Sequence, residues 1–417
     1  MFHSTGISGS VKLRIISFIF ALGMMAASFL TIEHFFEANY PESIFEGAFC
    51  DISAFLNCDS SAFSEISQIY GIPLGYFGLF LGALVALGAV FPSRKFELTN
   101  SFLLLFNTLG VIGLMGYSIL SLNSLCLLCT GYYIFSFLAF GLFAVYGTGK
   151  DTIGTLRRFF HPSFKMLAAF ACIGAVLAYG MILYHQTRQD AQTGTAMKIV
   201  KQYYELPQVG FPSLISPYRT ISSTENFTDA PIQIVEYVDF LCPDCLYLHQ
   251  QMQELKPEFE GKINIAFQFF PLEGECNSVV EKDLHPGACE LSYLAAAAPD
   301  RFTEIHDEIF ANFRAARDAD WRRQLAEKYG VTETMNDPEI RDLVNRIIQT
   351  GTEYEKTSQQ YSHGIRSTPT RIINGRMVIG TLPTEHLRAI FQALVEEHEG
   401  GRRFMENWVP TRKIRTK

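Results

Sequence analysis

The first 185 residues are poor in charge. They hold 8 Lys/Arg and 9 Asp/Glu, about 9% of positions against the ~25% of an ordinary soluble domain. From Ile15 to Gly147 the only Lys or Arg residues are Arg94 and Lys95. That scarcity excludes a chain soluble throughout. A basic excess is also missing: 34 Lys and Arg stand against 42 Asp and Glu, for a net charge of −8. Nothing is left over to neutralise a phosphate backbone, which excludes nucleic-acid binding. The later residues, 186–417, carry 26 Lys/Arg and 33 Asp/Glu, the density of a soluble domain.

Five apolar runs fill the charge-poor part, at 13–32, 73–92, 100–122, 126–147 and 166–185. Each is long enough to cross a ~30 Å hydrocarbon core as a helix. The first also has the basic flank of a signal peptide in Lys12 and Arg14, but it reaches Phe29 and Leu30 without a small-residue cleavage site. Lys12 and Arg14 precede the first run, Arg94 and Lys95 join the second to the third, and Lys150, Arg157, Arg158 and Lys165 join the fourth to the fifth. The connections 33–72 and 121–125 contain no Lys or Arg. Positive charge marks the cytoplasmic side, so the expectation is a five-pass inner-membrane protein with a cytoplasmic N-terminus and an extracytoplasmic, periplasmic C-terminal half.

On that topology eight of nine cysteines face the oxidising compartment, where disulfides persist. Cys50 and Cys58 lie in the outer loop, Cys126 and Cys129 at the outer mouth of the fourth run, and Cys242, Cys245, Cys276 and Cys289 in the outer domain. Cys172, within AAFACIGAV, reads as a small buried hydrophobe. Cys126-Leu-Leu-Cys129 places two sulfurs on one helix face, close enough to bridge. The helix N-terminus favours thiolate at Cys126, and desolvation disfavours it at Cys129. A competing reading makes Cys50, Cys58, Cys126 and Cys129 a zinc tetrad; the preferred reading has no metal.

In the charged half, Ile232 to Val238 reads as a strand running into Cys242-Pro243-Asp244-Cys245 and an amphipathic helix to about Phe259. A cysteine pair at a strand-to-helix turn is a thioredoxin-like redox motif. Cys242 is expected exposed at the helix N-terminus, with Cys245 a turn behind to resolve mixed disulfides. Strands follow at Ile263 to Phe270 and on both sides of the Asn374-Gly375 turn, with a closing helix at 383–398. Roughly 284–360 is a helical insertion. Cys276 and Cys289 are expected to form a structural disulfide worth roughly 3 kcal/mol, an auxiliary redox pair being the alternative.

This half resembles the DsbA-like branch of the thioredoxin superfamily. The resemblance implies that Thr368–Pro369 is cis beside Cys242 and that Glu236 is a buried acid taking the proton of Cys245; the alternative for Glu236 is a partly exposed strand residue. Asp244 stands where DsbA has histidine. A carboxylate there opposes a thiolate, so Cys242 is expected to be less acidic, and the domain a milder oxidant, than with a C-P-H-C site.

The membrane half resembles vitamin K epoxide reductase homologues: a four-helix bundle with a loop cysteine pair (Cys50, Cys58) and a C-x-x-C in the last bundle helix. Ser64 matches the family serine, Gly71-Ile72-Pro73 starts the second span, and Tyr133 matches a tyrosine lining the quinone pocket. The fifth helix is then a tether. The implied relay runs from Cys242 through Cys50, Cys58, Cys126 and Cys129 to ubiquinone or menaquinone as co-substrate, with exported proteins bearing reduced cysteines as partners. The stretch around Cys58 (Phe55, Leu56, Phe63, Ile66, Ile69) reads as a lid on the bundle or a plain interfacial helix. Asn107 and Asn123 suit either a quinone carbonyl or interhelical packing.

The expected architecture is therefore multi-domain. An all-α transmembrane bundle (1–147) is followed by a loop and fifth helix (148–185), a linker (186–224), an α/β thioredoxin-like domain with its insertion (225–400) and a basic tail (401–417). The preferred function is a quinone-coupled thiol oxidase promoting disulfide formation in exported proteins. A reductive or isomerase relay carrying electrons outward uses the same residues with the opposite driving force. A membrane-anchored chaperone leaves the cysteine ladder without purpose.

Overall fold

The computed structural model describes residues 6–39, 58–122, 124–148, 154, 156–211, 216–280, 283–357 and 359–400. Cys50, Phe55, Leu56, Asn123 and the basic tail lie outside the described residues. The chain divides into two compact units, the first essentially up to Ala191 and the second from Gln192 on.

The first unit is helical: α1 (Val11–Asn39), α2 (Leu74–Val90), α3 (Arg94–Tyr117), α4 (Leu127–Tyr146) and α5 (Phe164–Glu205). Among the described residues, four of these are long and apolar enough to cross a membrane. The exception is α2, at 17 residues, about 25 Å of helix. Proline trims it at both ends, with Pro73 as its N-cap and Pro92 just beyond. Glycines let the helices approach: a Cβ on Gly75 would fall 2.8 Å from the Ser28 carbonyl, and one on Gly82 would fall 2.8 Å from Met25. Ala21, Met24, Val85, Leu104, Ala139 and Phe143 form the core so enclosed.

Basic side chains close one end of this bundle. Arg14 Nε donates to Ala89 O at 2.8 Å, at the C-terminus of α2. The buried Arg158 donates to Gly147 O and Phe143 O at 2.6 and 2.7 Å, at the C-terminus of α4. Cations belong there because the last carbonyls of a helix are unpaired and its dipole ends negative. Cys172, expected buried, is exposed on α5. The apolar stretch of α5 from Phe164 to Thr187 has a hydrophobic window with no buried residue, so its apolar surface faces outward, as a lipid-facing helix requires.

The second unit is a five-stranded sheet of order β1-β3-β2-β4-β5, with β1 Arg219–Ser222, β2 Ile232–Val238, β3 Ile263–Phe269, β4 Thr370–Ile373 and β5 Arg376–Ile379. β2 and β3 are parallel, joined by α6 (Pro243–Leu255). β4 is antiparallel to β2 and pairs Arg371 with Glu236. Asn374 (φ 42°) and Gly375 (φ 80°) turn the β4–β5 hairpin; two successive positive φ values are the geometry an Asn-Gly pair favours. Between β3 and β4 lie α7 (Ala288–Ala296), α8 (Phe302–Ala311), α9 (Ala319–Tyr329) and α10 (Pro338–Glu353), the expected helical insertion. α11 (Thr384–Gly400) closes the fold.

The stretch 186–224, expected as a linker, is structured at both ends. α5 continues to Glu205, and Ile199, Val200, Tyr203 and Leu206 are buried in the sheet's core. Tyr203 OH donates to Ile373 O at 2.8 Å, and Arg219–Ser222 is the edge strand. The polar run Gln-Thr-Arg-Gln-Asp from Gln186 masks the helix in the sequence, while the three- and four-residue spacing of the buried side chains marks it.

Candidate functional site

Two Cys-x-x-Cys pairs begin helices, one in each unit. In the membrane unit Cys126 is the N-cap of α4 (φ −75°, ψ 124°), and its sulfur accepts the Cys129 backbone N–H at 3.3 Å. A sulfur there meets unpaired amide donors and the positive end of the helix dipole. Cys58 and Cys126 are buried in one cluster with Cys129 packed against it. Cys58 is disulfide-bonded, its partner lying outside the described residues, whereas Cys126 and Cys129 are free.

A cavity of about 110 Å³ opens beside these sulfurs, lined by Cys58, Cys126, Cys129, Ser64 and Tyr133 together with mainly apolar side chains of α1, α2 and α3. Ser61, Ala62, Ile66 and Ser67, from the segment after Cys58, line the same cavity, so that segment lies against the bundle. Ser64 Oγ donates to Ser61 O at 2.8 Å. The chamber is mostly apolar, with a few hydroxyls beside the dithiol. Asn107 is used elsewhere: it accepts from Tyr132 OH at 2.6 Å and donates to Ser136 Oγ at 3.1 Å, tying α3 to α4. One lining residue escaped the sequence reading. His34, buried on α1, faces the cavity and interacts electrostatically with Cys126. The sequence hid it because position 34 falls just past the first apolar run, whereas α1 continues to Asn39.

In the second unit Cys242 is the N-cap of α6 (φ −79°, ψ 124°), with Pro243 opening the helix. Thr368–Pro369 is cis, and Cys242 Sγ lies 3.4 Å from Thr368 O. Cys242 was expected exposed. It is 4% exposed, in an apolar cluster that includes Leu241 and the insertion residues Ala288 and Ala316. Burial raises its thiol, but hydrogen bonding with Cys245 and the charge of His285 outweigh that and bring it to about 6. Cys245 is held well above an ordinary thiol by burial and by its neighbour Cys242.

Glu236 is buried, not a half-exposed strand residue, and burial pushes its carboxyl up to about 7 despite Arg371 opposite. Arg371 is fully buried two residues past the cis proline and interacts with both Glu236 and Cys245. A cavity of about 40 Å³ joins Glu236 and Cys245 to His249, Lys256 and Asp307. His249, His306 and Asp307 bring metal-ligating atoms within 4.8 Å of one another. Of these, His306 Nδ1 is bonded to Asp307 at 2.8 Å. Cys276 and Cys289 form the expected disulfide.

The sequence reading also missed Asp239 and His285. Asp239 Oδ2 lies 2.7 Å from His285 Nδ1, with both side chains essentially buried. Asp239 sits three residues before Cys242, but nothing local in the sequence places His285 beside it.

Comparison with known proteins agrees with this division. The profile described as "Vitamin K epoxide reductase family" matches residues 14–144, and that described as "Thioredoxin" matches residues 227–393. The chain is 28% identical over 177 residues to a Na(+)/H(+) antiporter NhaA 1 of Salinispora arenicola, covering 39% of this chain and 23% of the antiporter. It is 26% identical over 194 residues to NhaA 3 of Salinispora tropica, covering 42% and 25%. The chain thus spans about a quarter of these curated relatives. Among solved structures, a Proteus mirabilis ScsC linker-deletion mutant matches at TM-score 0.33 and 11% identity, over 57% of this chain and 98% of that one. The reduced disulfide bond oxidoreductase DsbG of Mycobacterium tuberculosis matches at 0.28 and 19%, over 42% and 86%. The chain thus joins, in one polypeptide, a region that matches the vitamin K epoxide reductase family and a region that matches thioredoxin.

Proposed function

We propose that the chain is a quinone-coupled thiol oxidase that reoxidises its own thioredoxin head and so promotes disulfide formation in exported proteins. Fusion of the two domains supports thiol–disulfide redox chemistry in a membrane protein. The observation that carries the finer reading is the packing of the Cys58 disulfide against Cys126 beside an apolar cavity.

In this reading a substrate dithiol is oxidised by the Cys242–Cys245 disulfide. The reduced head then gives its two electrons to Cys50–Cys58, and Cys58 passes them to Cys126–Cys129. Each transfer is thiolate attack on a disulfide sulfur. Glu236 takes the proton of Cys245, and the small cavity beside them leads it toward His249 and Asp307. Ser64 and Tyr133 hold the quinone, which accepts two electrons and two protons when bound. The net reaction is dithiol plus quinone to disulfide plus quinol. The charge pattern supports five passes with the head in the periplasm of a bacterial inner membrane.

Anaerobic incubation of the purified full chain with a reduced dithiol protein and either ubiquinone or menaquinone tests this. One quinol per substrate disulfide is expected. Quinol-driven reduction of substrate disulfides, with no quinone consumption, would instead assign the outward, reductive relay.

A further inference from the structure

Thioredoxin-like sites that oxidise strongly place positive charge near the attacking sulfur, as a histidine inside the motif does. Here position 244 is aspartate, yet the Cys242 thiol lies at about 6. Hydrogen bonding with Cys245 supplies part of that lowering, and the positive charge that adds to it lies elsewhere in the fold.

It comes from the insertion. His285 lies within the loop closed by the Cys276–Cys289 disulfide. The loop is seated by two further bonds, Leu284 N and His285 N donating to Leu272 O at 2.9 and 3.2 Å. The His285 ring meets Asp239 Oδ2, which also accepts Leu272 N at 2.6 Å, while Asp239 Oδ1 accepts Leu241 N at 2.7 Å. Both oxygens of Asp239 are therefore committed, and its orientation fixes that of the ring. Arg317, from the 3-10 turn Ala315–Arg317, donates to Leu241 O at 3.3 Å and interacts with both Asp239 and Cys242. Among the described residues, the titratable groups around Cys242 include Cys245 and Asp244 on α6, Asp239 just past β2, whose charge opposes the thiolate, and His285 and Arg317 on the insertion.

We propose that His285, seated beside the Cys276–Cys289 disulfide and held against Asp239, is with Arg317 the electrostatic arm of the exchange site and takes the place of a histidine within the Cys-x-x-Cys motif. His285 and Arg317 are positioning residues: they set the fraction of Cys242 present as thiolate and its quality as a leaving group. The disulfide has a role in this beyond stapling the fold. His285 itself gains from the arrangement: burial opposes its protonation, but the Asp239 carboxylate raises it. The ring is accordingly charged over more of the range in which the thiol ionises. The inference rests on Cys242 being the exchanging sulfur.

The test is the pH dependence of Cys242 alkylation in the detergent-purified full chain, followed peptide by peptide. It is run after mild reduction that spares Cys276–Cys289. His285→Gln keeps a hydrogen bond to Asp239 but loses the charge. Its midpoint should rise by about one pH unit, so that alkylation below the midpoint slows about tenfold. Arg317→Gln, at a partly exposed position, should shift it the same way by less. Cys276→Ala/Cys289→Ala should reproduce the His285→Gln shift, and Asp244→His should bring the midpoint of His285→Gln back toward wild type. A low wild-type midpoint unmoved by His285→Gln and Arg317→Gln overturns the inference and leaves the exchange reading standing. A wild-type profile like that of an ordinary thiol overturns both. A shift that Asp244→His fails to reverse means that His285 acts only through folding, which also overturns it.

Discussion

The two Cys-x-x-Cys pairs share one backbone device and differ in what surrounds it. Cys126 and Cys242 cap their helices with dihedrals that agree within a few degrees, φ −75° and ψ 124° against φ −79° and ψ 124°. Around Cys126 the neighbours are a second sulfur, hydroxyls and apolar side chains lining a chamber. Around Cys242 they are a buried Asp–His pair, a half-buried arginine and a backbone carbonyl from the cis-proline loop. A helix N-terminus makes either cysteine reactive. In the proposed function the surrounding layer sets the partner: a small apolar acceptor at the membrane pair, and protein dithiols at the head.

The largest expected effect separates the two pairs outright. Cys129→Ala should abolish thiol-driven quinone reduction while leaving exchange between the head and glutathione disulfide unchanged. Loss of both activities would mean that the pairs do not work as separable stations.

Glu236→Gln acts on the head alone. Removing an acid that accepts a proton in the exchange step should slow reoxidation of the head about 100-fold at pH 7, measured by stopped-flow. The same carboxyl makes stability depend on pH. Its folded value of about 7 exceeds its ordinary 4.5, so the native head holds this proton longer than the unfolded chain. The head therefore loses stability as pH rises from about 4.5 to about 7, by up to about 3 kcal/mol. In Glu236→Gln this part of the slope should vanish from the protease-resistance midpoint.

Asn107→Leu should have the smallest effect. Losing its bonds to Tyr132 and Ser136 should cost the bundle about 1 kcal/mol, seen in thermal inactivation, with the KM for quinone unchanged. A raised KM would return Asn107 to the quinone site.

The same contrast explains what was legible in the sequence. Both cysteine pairs, the strand before Cys242, the Asn374-Gly375 hairpin and the helical insertion announce themselves because each depends on local spacing or period. His285, Arg317 and Arg371 do not, because their meaning comes from packing across 30 or more residues of chain. Cys242 read as exposed because a helix N-terminus in isolation is open; the insertion covers it. The continuation of α5 to Glu205 was hidden because a polar stretch interrupts the apolar run, while Ile199 and Tyr203 beyond it are buried.

The central claim is that the two pairs are stations on one electron path. Replacing Cys245 with serine removes the resolving thiol and should leave Cys242 bonded to its internal partner. Peptide mapping of that variant, purified without reductant, should find a Cys242–Cys50 disulfide within a single chain. Finding Cys242 joined only to other proteins, with Cys50 still paired to Cys58, would contradict the account.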